Sequence, residues 1–153
     1  MRHLPWLAGL AGVLWPLSLA LASTNPDTPT NMTSNIINGT MHQDGHYTPH
    51  YFTFQAGPGT VKLRLTIRPN GDDEEVDVRL TDQDGKEYAS MGWLAIVSDD
   101  IVKTKEITVP AKTTLVLQIA GNNAIMSKKA KPTFRVQLDG DVNVSKTATP
   151  MEV

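Results

Sequence analysis

The sequence contains no cysteine in 153 residues. That excludes a thiol nucleophile, a cysteine-ligated zinc, a haem-attachment motif and any disulfide staple. In an exported chain it leaves the core alone to hold the domain together, and it leans towards a bacterial envelope protein. There is no excess of positive charge either, with 14 Lys and Arg against 16 Asp and Glu. A phosphate-backbone partner needs a basic face, so no nucleic-acid ligand is expected. No stretch of about ten residues or more repeats its apolar positions with the helical period, and no long helix is predicted. Catalytic signatures are missing as well. There is no Gly-x-Ser-x-Gly elbow and no glycine loop opening a helix for phosphate. The paired carboxylates lie in acidic turns, where nothing in the sequence buries them. A non-catalytic protein is the expectation.

What is present begins with a targeting segment. Arg2 and His3 form a short polar start, and Leu4 to Leu19 is apolar but broken by Pro5 and Pro16. Ala20-Leu21-Ala22 fits the small-x-small rule, which predicts a signal peptide over 1–22 with cleavage before Ser23. The apolar run is shorter than the roughly 20 residues of a bilayer span, so no membrane span is expected after cleavage. The mature chain would carry a net charge of about −3, and secreted or periplasmic localisation follows. Residues 23–35 are rich in Ser, Thr, Asn and Pro and are expected to form a flexible tether. Residues 36–140 form the predicted domain, and 141–153 a disordered tail.

Within the domain the period is 2. Tyr51 to Phe54 and Val61 to Ile67 alternate apolar and polar residues on either side of Ala56-Gly57-Pro58-Gly59. This predicts two strands joined by a turn, each with one buried and one wet face. Ile36 to Thr40, Val76 to Leu80, Lys86 to Ser90, Trp93 to Val97, Lys105 to Val109, Thr114 to Ile119 and Phe134 to Leu138 extend the pattern. Turn signals recur every 8–12 residues or so, as in an all-β antiparallel sandwich or jelly roll.

Three parts of this pattern resemble a known family. They are Tyr51-Phe52-x-Phe54-x-Ala56-Gly57, then Val61-x-Leu63-x-Leu65, then Asp77-x-x-Leu80 with Asp84-Gly85. With Val109-Pro110-Ala111, Leu115 to Gly121 and Phe134-x-Val136-x-Leu138, they are similar to the bacterial pre-peptidase C-terminal (PPC) domain. The likeness runs from about Ile36 to Gly140. It lacks the usual Gly-x-Tyr of the closing strand, where Lys112-Thr113-Thr114 stands. The resemblance implies a galactose-binding-like jelly-roll sandwich, non-catalytic and attached to exported enzymes. It also implies collagen, polysaccharide or calcium as ligands. No peptidase precedes the domain in this sequence, so a stand-alone binding module is expected. Its ligand would be a glycan, a protein or an exported-enzyme partner.

Four constellations are candidates for a site. Tyr51, Tyr88 and Trp93 are the ligand-binding candidates, since exposed Tyr and Trp serve carbohydrate and protein recognition. Phe52 and Phe54 share a face, which turns Tyr51 outward; for Trp93 a place in the core is the favoured reading. Asp72, Asp73, Asp77 and Asp84 could supply oxygens to calcium, or simply keep acidic turns solvated. Asp82-Gln83-Asp84-Gly85 lacks the distal glutamate of an EF-hand. A structural envelope or matrix protein with calcium-stiffened turns is thus one alternative. His42, His46 and His50 recur every fourth residue and suggest a periplasmic metal-binding protein as another. Gly45 and Pro49 argue against the helix that would bring these imidazoles together, and an extended segment would hold them about 13 Å apart. Lys128-Lys129-Ala130-Lys131 is a small basic loop, best read as solvated.

Overall fold

A single strand, β3 (His50–Arg68), organises the chain. The computed structural model describes residues 21–41, 49–70, 74–95, 99–121 and 131–153. Among these residues there is no helix. The strands are β1 (Thr30–Asn31), β2 (Ile36–Thr40), β3, β4 (Glu74–Asp82), β5 (Glu87–Ala95), β6 (Ile101–Val109), β7 (Thr113–Ala120), β8 (Thr133–Val142) and β9 (Met151–Glu152).

The Gly-Pro-Gly segment is a bend inside β3, not the hairpin turn that its composition predicts. The half from His50 to Ala56 pairs with β7, and Phe52 and Thr53 also pair with β1. The half from Gly59 onwards pairs with β6 on one side and β8 on the other. The two halves therefore belong to two different layers. One layer runs β5-β4-β7-β3-β1 and the other β6-β3-β8-β2-β9. Gly57 makes the bend possible, because its φ of 76° is open to glycine at little cost. A Cβ there would also press into the Val109 side chain at 2.7 Å and the Ala111 carbonyl oxygen at 2.8 Å.

The fold is an all-β sandwich, and its core follows from the alternation. Phe52, Leu80 and Leu117 from one layer meet Leu63, Val136 and Leu138 from the other in one buried cluster. Most pairings are antiparallel, but β1 with β3 and β2 with β9 are parallel. Within the predicted strands over 86–90 and 93–97, Glu87 to Ala95 is one strand, β5, and Asp139-Gly140 does not end β8.

Both polar ends of the domain are packed. In the segment expected to be a tether, Ser23 bridges to Tyr51 and Asn35 is buried. The Asn35 amide donates to the Ser145 carbonyl at 2.9 Å, and its Nδ2 donates to the Leu138 carbonyl at 2.9 Å. The segment expected to be a disordered tail supplies β9, and Val153 donates its backbone N–H to Asn38 at 3.0 Å. Composition misleads at both ends because the partners lie far along the chain, from 28 residues for Ser23 and Tyr51 to more than 100 for Asn35 and Ser145.

Strand β6 pairs only with β3 among the described residues, leaving a nine-residue edge. Such edges invite pairing with another chain. Ile107 and Val109 are buried, so alternation places Lys103 and Lys105 on that same inward face. Consider β6 pairing antiparallel with another copy of itself. Centred on any residue from 103 to 105, it sets lysine against lysine, and centred on Glu106 it sets glutamate against glutamate. Like charges directly opposite are destabilising. Lys105→Val is therefore expected to make the protein self-associate at concentrations where the wild type stays monomeric. Sedimentation velocity checks this, and identical profiles would refute it.

Candidate functional site

The outer face of the layer β5-β4-β7-β3-β1 carries the candidate site. Phe52 and Phe54 are buried at 0% and 5% exposure, so Tyr51, one residue before Phe52, points to the opposite, outward side with Thr53. Its cross-strand neighbour on β7 is Gln118, and the neighbour of Gln118 on β4 is Arg79. The row continues to Ser90 on β5. With strands about 4.8 Å apart, Tyr51 and Arg79 stand roughly 10 Å from each other across one flat face.

Two walls turn this face into a cleft of about 410 Å³. One is the N-terminal segment with Pro26, Asp27 and Pro29, and the other is the turn Asp82 to Gly85. That turn is shaped by Asp82, whose Oδ1 accepts the backbone N–H groups of Asp84 at 3.0 Å and Lys86 at 2.8 Å. Arg79 is oriented by Glu87, with Nε 3.5 Å from Oε2. The cleft thus joins one aromatic ring, two amides, a guanidinium and carboxylates on strands and the turns beside them. This set can bond hydroxyls and amides and stack on a flat ligand.

The other predicted ligand residues are not brought to Tyr51. Tyr88 lies at the irregularity in the β4–β5 register and packs partly buried against the core. The Lys86 ammonium sits 5.0 Å from its ring centroid. Trp93 pairs through its backbone with Val76, and its side chain lies outside the described residues.

Of the calcium set, Asp77 and Asp84 do not lie close enough to share one ion. Asp72 and Asp73 lie outside the described residues. Asp77 is on β4 with its carboxylate over Gly92, where a Cβ would collide with Oδ1. Asp84 is in the turn beyond the end of that strand. From Asp77 to Asp82 alone the strand advances about 16 Å, whereas calcium needs its oxygens about 2.4 Å away. Among the described residues no three His, Asp or Glu side chains converge.

His42 and His46 of the histidine triplet lie outside the described residues, as does the basic loop Lys128 to Ala130. His50 opens β3 with its Nδ1 buried and without a hydrogen-bond partner. Burial holds its pKa below the ordinary 6.5. Below that pH the unfolded chain takes up a proton that the folded chain refuses. Stability should therefore fall as pH drops through the window from 6.5 to the lower folded value. His50→Gln is expected to flatten the dependence of the urea midpoint on pH between about 7 and 5. An unchanged slope would show that His50 contributes nothing.

Sequence reasoning missed Gln118, Arg79 and Asp27. Gln118 did carry a signal, as the polar residue alternating with Leu117 and Ile119 in an apolar strand. That β7 inserts between β3 and β4, and so joins Gln118 to Tyr51 and Arg79, is a long-range pairing with no local mark. Compared with models of known protein families and with curated proteins, the chain matches none.

Proposed function

We propose that the protein is a non-catalytic binding module that takes a glycan or protein partner outside the cytoplasm on the face carrying Tyr51. The observation that carries this reading is the row Tyr51–Gln118–Arg79 on three adjacent strands, walled into a cleft of about 410 Å³. Concave sites with a few convergent polar groups on rigid elements are where ligands bind. The resemblance of Tyr51 to Gly57 and Leu115 to Gly121 to PPC domains supports the same reading.

Export is part of the proposal. Ala20-Leu21-Ala22 marks cleavage before Ser23. Ser23 is held to the domain, its N donating to Thr30 Oγ1 at 2.8 Å. An amino group freed by cleavage can keep that bond.

Binding of wild type and Tyr51→Ala to purified cell-wall glycan and to secreted matrix protein tests the reading. Tyr51→Ala is expected to bind at least tenfold weaker, about 1.4 kcal/mol, with a similar unfolding midpoint. Equal binding by the two proteins would overturn it.

A further inference from the structure

The cleft at Tyr51 is one of four depressions in series. Towards β5 it shares Arg79 and Gln118 with a smaller hollow of about 130 Å³ that Asp77 and Ser90 complete. In the other direction it shares Pro29 and Gln83 with a hollow of about 490 Å³ lined by Asn31, Thr53 and Thr114. That one shares Gln55 and Asn143 with a fourth, of about 270 Å³, reaching Lys112 and Asp141. The depressions together follow the outward residues of β7. From Ala120 to Thr114 that strand advances about 20 Å.

We infer that this groove binds an extended, uncharged oligosaccharide with several sugar units in successive subsites, an inference that rests on the binding reading above. Three features select this ligand. First, the lining is rich in amides. Gln118, Gln83, Gln55 and Asn143 are spaced along it, and each side chain offers two donors and an acceptor to hydroxyls. Second, its charge disfavours a polyanion. Asp77, Asp27, Asp82 and Asp141 border the groove, while Arg79 is paired with Glu87 and Lys112 stands at one end. Third, it lacks what a protein ligand uses. Peptides take a free strand edge or deep apolar anchor pockets. Here the groove crosses paired strands, Phe54 at its edge is buried in the core, and Tyr51 is placed to stack on the flat face of a sugar.

The inference is tested with the full mature chain by calorimetry against neutral oligosaccharides of one to six units, chosen from a glycan array, with alginate as the anionic control. Affinity should rise at least tenfold from one unit to four and then level. Gln55→Ala, exposed and remote from Tyr51, should weaken the long oligomers at least fivefold and leave the shortest unchanged. Gln118→Ala should weaken all lengths. No neutral glycan bound, or alginate preferred, would overturn the inference. So would a protein ligand whose capture depends on Tyr51 while no glycan binds, and that result would leave the binding reading standing. A glycan bound equally by wild type, Tyr51→Ala and Gln118→Ala would overturn both.

Discussion

Phe52→Ala is expected to remove about 3–5 kcal/mol of folding stability, the loss typical of a buried phenylalanine. Phe52 is fully buried and is the residue of β3 flanked by Thr30 of β1 and Leu117 of β7. Truncation leaves a cavity where two sheet neighbours meet the opposite layer, and interdigitated cores relax only partly around such a hole. Urea unfolding should show a lower midpoint with an unchanged slope, since the surface exposed on unfolding is nearly the same. The exposed Gln55→Ala, three residues along, serves as the comparison and should stay within about 0.5 kcal/mol. A loss below about 1 kcal/mol at Phe52 would mean that this half of β3 is not packed as described.

Gly140→Ala carries the second large effect, and Gly85→Ala separates its two causes. Gly140 and Gly85 have nearly the same backbone, with φ of 90° and 85°. An L-residue in left-handed backbone costs about 1–2 kcal/mol. At Gly85 a Cβ would meet nothing within 4 Å, so Gly85→Ala should show that cost alone. At Gly140 the Cβ would run into the backbone carbonyl of Thr60, where β8 pairs with β3. A backbone atom cannot swing aside as a side chain can, so overpacking adds about 1–3 kcal/mol. The paired variants, measured side by side in urea, should differ by that amount. Equal losses would remove the close approach from the account.

The fold was largely legible because a strand with one buried face writes its alternation into the sequence. Ile36 to Thr40 is β2 residue for residue, and Val76 to Leu80 and Thr114 to Ile119 lie inside β4 and β7. The outward turn of Tyr51 was legible for the same reason, from Phe52 and Phe54 on either side of Thr53. The candidate site was less so. Gln118, Arg79 and Asp27 come from three separate stretches, and nothing local marks them as neighbours of Tyr51.

By itself, then, the sequence determined an all-β chain, the buried and wet sides of its strands, and the polar character of its outward residues. Those depend on side-chain period and local turn chemistry, which act over a few residues. The tertiary structure decided that Gly57-Pro58-Gly59 is a bend shared by two layers, that both polar ends pack, and that Tyr51, Gln118 and Arg79 form one row. Each of these rests on which strand hydrogen-bonds to which. Strand pairing joins backbone groups tens of residues apart, and backbone groups are the same for every sequence.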